Sequence, residues 1–151
     1  MKKKLILIFF ILGLTQCGFN PIYKDTNEAK IKITITDIKG DKFINNIMKN
    51  ELERISSRDP SKELKVSINT SFNKIVISRD AKGSASNYQI EVIANFTIKD
   101  ADNTKEITFS EKQNFENISD IFEQKNYEET IKENFTISIV RKFNLKLLNN
   151  L

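Results

Sequence analysis

Apolar and polar residues alternate along the first ordered stretch of this chain. Ile31, Ile33 and Ile35 are interleaved with Lys32, Thr34 and Thr36. A period of two marks a half-buried β-strand, and Gly40-Asp41 breaks it. From Lys42 the period changes. Phe43, Ile44, Ile47, Met48, Leu52 and Ile55 fall at helical spacing with polar residues between them, as in an amphipathic helix. Asp41 stands where an N-cap belongs. Arg58-Asp59-Pro60 is the predicted stop, because a residue before proline is pushed out of helical geometry.

Alternation then returns. Leu64, Val66, Ile68, Thr70 and Phe72 predict a second strand, which continues through Ile75-Val76-Ile77 after a bulge expected at Asn73-Lys74. Residues 79–87, rich in Gly, Ser and Ala, form a turn. Tyr88, Ile90, Val92, Ala94, Phe96 and Ile98 predict a third strand, and 100–103 a second turn. Ile107, Phe109 and Phe115 mark a fourth strand less strongly. Short turns between these three strands imply an antiparallel meander. Beyond Ser119 there is no Gly or Pro, and Phe122 precedes a four-residue step from Tyr127 through Ile131, Phe135, Ile139 and Phe143 to Leu147. Residues 135–140 also alternate locally, which competes as a strand; the lack of turn chemistry favours one long helix. It would span roughly 40 Å at 1.5 Å per residue, matched to the length of the second strand. The order β-α-β-β-β-α predicts an α+β two-layer sandwich: a four-stranded, mostly antiparallel sheet with two helices packed on one face.

The N-terminus has a different character. Lys2, Lys3 and Lys4 precede an apolar run from Leu5 to Leu14, interrupted by Gly13. This is the anatomy of a secretory signal peptide. The run is too short for a spanning helix, which needs about 20 apolar residues. Cys17 follows it and is the only cysteine among the 151 residues. That placement predicts a cysteine that is lipidated after cleavage of residues 1–16, with Gln16 at the −1 position. Residues 17–30 would be a polar tether and 31–151 a single domain. Gly18 in place of Asp after the cysteine favours the outer over the inner membrane.

Charge and composition narrow the function. The formal net charge is +4, but Lys2, Lys3 and Lys4 supply three of those charges. A mature domain near neutrality is not a polyanion binder by bulk charge, so nucleic acid is not an expected partner. The chain has no His, the commonest general base. It carries no Gly-rich phosphate loop, metal-ligand cluster or serine nucleophile motif. Asp100 and Asp102 lie in a turn, where Asx chemistry accounts for them. A binding or structural protein without cofactor is expected rather than an enzyme.

Two cation pairs are the candidate ligand contacts. Arg79 and Lys82 flank the first turn beside flexible residues. Arg offers a bidentate fork to a phosphate and Lys a point charge. Arg54 and Arg58, at the end of the first helix, form the second pair. A solvated loop, and a helix C-terminus whose cations offset the dipole, are the alternative readings.

Cys17-Gly18-Phe19-Asn20-Pro21-Ile22-Tyr23 resembles the Cys-Gly-Phe-x-Pro-Leu-Tyr start of the lipopolysaccharide-assembly lipoprotein family LptE. Asn87-Tyr88-Gln89-Ile90, leading into an alternating strand, and Ile139-Val140-Arg141-Lys142-Phe143 in the last helix resemble later parts of that family in the same order. The resemblance implies a two-layer fold with four strands and two helices. It also implies an outer-membrane lipoprotein seated in the lumen of the LptD β-barrel, where it plugs the barrel, aids its assembly and takes part in lipopolysaccharide transport. Arg79, Lys82, Arg54 and Arg58 would then be candidate lipopolysaccharide phosphate contacts. A stand-alone lipid or glycolipid carrier and a purely structural envelope adaptor are the competing readings.

Overall fold

The structure, a computed structural model, describes residues 31–100 and 103–149. The leader, Cys17, the tether and the Cys17–Tyr23 motif lie outside the described residues. The elements are β1 (Ile31–Lys39), α1 (Lys42–Ile55), β2 (Lys62–Arg79), β3 (Ala85–Asp100), β4 (Asn103–Glu116) and α2 (Ile121–Asn149). The fold is therefore α+β in the expected order. The strands lie in sequence order, β1-β2-β3-β4.

β1 and β2 are parallel, with Ile31 opposite Lys62. Parallel neighbours need a crossover, and α1 supplies it. β2, β3 and β4 form the antiparallel meander. Asp41 caps α1 through its Oδ1, which accepts from Phe43 N at 2.9 Å and Ile44 N at 3.0 Å. Just before it, Gly40 has φ +105°, and a Cβ there would lie 1.8 Å from the Thr70 carbonyl oxygen. Only glycine lets the β1–α1 corner lie against β2.

α1 ends at Ile55, earlier than Pro60 implied. Ser56 is already extended. Its Oγ accepts from Ile33 N at 2.9 Å, and Ser57 N donates to Ile31 O at 2.8 Å. Bonds to the start of β1 thus draw the chain out of the helix before proline sterics apply.

Both helices cover the same face of the sheet. Ile44, Met48 and Leu52 of α1 and Ile139, Val140, Phe143 and Leu147 of α2 meet Val66, Ile68, Val92, Ala94 and Phe96 in one core. Phe96 and Phe143 stack with ring centres 4.2 Å apart. A smaller cluster of Ile90, Phe115 and Ile131 lies toward the β2–β3 hairpin. The inward phase of alternation is unbroken from Leu64 to Thr70, all buried on alternate residues.

The strand reading of 135–140 fails because Thr136, Ile139 and Val140 are buried together on one side of a continuous helix. The helix begins at Ile121, and Phe122 in its first turn is exposed. β2 also differs. Its pairing with β3 runs straight through Asn73-Lys74, and the register slips instead at Val76–Ser78–Arg79. The strand outlasts its cover. Its 18 residues reach about 55 Å at 3.3 Å per residue, against about 42 Å for the 29-residue α2 at 1.5 Å. Val76, in the inward phase, is accordingly exposed, whereas Ile75 is exposed on the helix-free face and Ile77 at the register slip.

Candidate functional site: cations at the two ends of the sheet

The hairpin tip is smaller than the sequence implied, because Ala85, Ser86 and Asn87 belong to β3. Asp80 organises it. Its N donates to Ser84 O at 2.8 Å, its carbonyl accepts from Gly83 N at 3.0 Å, and its Oδ1 accepts from Lys82 N and Ser84 N at 2.9 Å each. This is the local side-chain capture that favours Asp in turns. Gly83 has φ +84°, the left-handed geometry that closes the turn. Arg79 Nη1 donates to Gly83 O at 2.9 Å, which leaves its other donors outward. Lys82 is exposed. The two cations therefore share the tip with one carboxylate.

The second pair sits at the other end. Arg54 is ion-paired with Glu51 one turn earlier, and Arg58 is exposed beyond the helix end. Ser57 is bonded to Ile31, which lies opposite Lys62 at the start of β2. Arg79 ends that strand. The pairs are thus separated by the length of β2, about 55 Å. They do not converge on one headgroup.

Other charged residues occupy more structured places. Lys74 is ion-paired with Glu128 of α2 and lies 4.2 Å from the centre of the Tyr88 ring. Lys132 of α2 is 3.2 Å from Asp41 Oδ2 and 3.8 Å from the Phe72 ring centre. Glu111 of β4 accepts from Ser138 Oγ at 2.6 Å and pairs with Lys142 Nζ at 2.7 Å. Partial burial raises the Glu111 carboxyl pKa, but the bonds from Lys142 and Ser138 outweigh it and hold it below the usual value. Asp41 behaves likewise: burial opposes ionisation, and Ile44 N–H, Lys132 and Phe43 N–H overcome it. Three ion pairs along α2 join it to β2, to the α1 cap and to β4. The sequence carried a signal for two of them. Lys74 and Glu111 occupy the inward phase of their strands, where a charge needs a partner from the covering layer.

The opposite sheet face bears Ser67, Asn69, Ser71, Asn73, Asn95, Thr97, Thr108 and Ser110. Cross-strand bonds tie it together, Thr108 Oγ1 to Asn95 Oδ1 at 2.7 Å and Gln89 Nε2 to Asn114 Oδ1 at 2.8 Å. A shallow depression of about 420 Å³ between Asp37, Asn69, Asn95 and Thr108 lies on it. Among the described residues no helix is long and apolar enough to cross a membrane.

The architecture has counterparts among solved proteins. Rare lipoprotein B from Shewanella oneidensis superposes with a TM-score of 0.57 over 79% of this chain and 96% of that one, at 8% identity. The two share a fold. Uncharacterized lipoprotein B from Nitrosomonas europaea is similar at a TM-score of 0.49 and 12% identity, over 81% of this chain and 87% of that one. No protein-family model matches the chain, and no curated protein matches it significantly in sequence.

Proposed function

We propose that the chain is a lipid-anchored outer-membrane lipoprotein that plugs and helps assemble an LptD-type β-barrel and takes part in lipopolysaccharide transport to the outer leaflet, with no catalytic step of its own. One observation carries this reading: the Cys17–Tyr23 motif stands directly ahead of a domain with the fold of a rare lipoprotein B. The open sheet face supports it physically. Large β-barrels enclose polar interiors, and Ser67, Asn69, Asn95, Thr97 and Thr108 give this face many hydrogen-bonding groups, interspersed with charges of both signs such as Glu106 and Lys112. The stand-alone carrier reading needs an apolar cavity between the layers; Phe96 stacked on Phe143 fills that space with side chains instead.

Affinity purification from outer membranes, with the retained partner identified, tests the reading. Co-purification of a large barrel, and loss of surface lipopolysaccharide on depletion, are the expected results. Normal surface lipopolysaccharide after depletion overturns it. Palmitate labelling of the wild type but not of Cys17→Ser is expected for the anchor; equal labelling removes it.

A further inference from the structure

The two edges of the sheet are not equivalent. β1 is nine residues long and its register shifts between Ile35 and Asp37; such irregularity blunts an edge against further pairing. β4 has 14 residues, no proline, and pairs with β3 along its whole length without a shift. A long, regular edge with no further strand beside it among the described residues is a template for another strand.

We propose that β4 pairs antiparallel with β4 of a second copy of this chain, about a two-fold axis through Phe109, making one continuous sheet across both copies. The strand's own sequence fits this axis. Glu106 then faces Lys112 of the other copy, and does so twice. Thr108 faces Ser110 twice, Thr104 faces Asn114, and Lys105 faces Gln113. Phe109 meets its own counterpart. Ile107 faces Glu111, which stays bonded to Lys142 and Ser138 of its own chain, and no two like charges oppose each other.

Glu106 and Lys112 are exposed; within its own chain Glu106 lies opposite Thr97 and Lys112 opposite Glu91, but among the described residues neither is within ion-pair distance of a partner. The axis supplies one to each. Axes through Thr108, Glu111 or Lys112 do worse. An axis through Glu111 or Lys112 sets a charge against its own copy, which destabilises a cross-strand pair. An axis through Thr108 relies on Glu111, already committed to Lys142 and Ser138. Apolar surface lies along the same edge. Ile107 and Phe109 are only half-buried. Leu145, one turn past Lys142 on the helix side that meets β4, is 53% exposed. The pairing does not depend on the barrel reading; within that reading it belongs to the chain before it meets its barrel.

Sedimentation of the full chain in detergent micelles under reducing conditions tests this, with a circular dichroism spectrum as the check on folding. The wild type is expected to show a concentration-dependent dimer. Glu106→Lys and Lys112→Glu each set like charges opposite one another twice, and each should raise the dimer Kd about tenfold. The combined variant restores both pairs with signs exchanged and should return to the wild-type Kd. A wild type that stays monomeric across the whole concentration range overturns the proposal. So do single variants that dimerise as well as the wild type, or a combined variant as weak as the singles.

Discussion

Lys132, in the middle of α2, is bonded to Asp41, the residue that caps α1, with Nζ 3.2 Å from Oδ2. One carboxylate thus serves two helices: Oδ1 holds the first turn of α1 and Oδ2 holds α2. Both side chains are less than a quarter exposed. Lys132→Met keeps the stem over Phe72 but removes the charge, and should cost about 1–2 kcal/mol. Asp41→Ala loses the cap as well and should cost about 2–3 kcal/mol. Urea unfolding at pH 7 measures both. The double variant should be less destabilised than the sum of the singles by about 1 kcal/mol; strict additivity would show that the contact carries no energy.

Acid should loosen the helix layer. The Asp41 and Glu111 carboxyls titrate below their ordinary values of 3.8 and 4.5 in the folded protein. The folded state therefore resists protonation more than the unfolded chain does. Stability from these groups is complete above the ordinary values and is lost as the pH falls through the lowered ones. Unfolding midpoints in urea should drop as the pH falls below about 4.5. Glu111→Gln should destabilise at pH 7 and lose that effect on acidification. An unchanged gap between variant and wild type at pH 3 would refute the assignment.

The two described glycines of positive φ differ in what surrounds them. Gly40→Ala puts a methyl against the Thr70 carbonyl at 1.8 Å, whereas a Cβ at Gly83 meets nothing within 4 Å. Gly83→Ala should cost only the left-handed backbone term, about 1–2 kcal/mol. Gly40→Ala adds a collision with backbone and should cost more than about 3 kcal/mol. Thermal melts that rank the two in the opposite order would contradict the corner geometry.

The hairpin cations are expected to matter to a ligand and not to the fold. Arg79→Ala with Lys82→Ala removes one side-chain bond, Arg79 to Gly83 O, at an exposed tip. The melting temperature should fall by no more than about 2 °C. Binding to lipopolysaccharide should weaken, while Arg54→Ala with Arg58→Ala, at the other end of β2, gives a separate and independent change. Unaltered lipopolysaccharide binding in both double variants favours a structural adaptor.

Much of the fold could be read from spacing alone. Leu64-Val66-Ile68-Thr70 and Ile90-Val92-Ala94-Phe96 announce their inward faces because alternation in a sheet buried on one side leaves little choice. The Asp41 cap was equally visible. The end of α1 was not, because Ser56 and Ser57 answer to Ile31 and Ile33, more than 20 residues away in sequence. β1's parallel pairing is a similar long-range choice. The candidate cations were legible as exposed charges, but their separation depends on β2 running unbroken past Asn73-Lys74.

β2 gives the domain a fixed gauge. It is one strand from the end where the chain enters at Ile31 to the hairpin at Asp80, and the sheet beside it resists stretching. Adding two residues to both arms of the β2–β3 hairpin would move the tip outward by about 6–7 Å and keep every side chain on its face. Adding one would exchange the faces beyond the insertion. The distance between the entry end and the tip can therefore change only in steps of two residues, so any partner that touches both ends reads the domain as a ruler with a coarse scale.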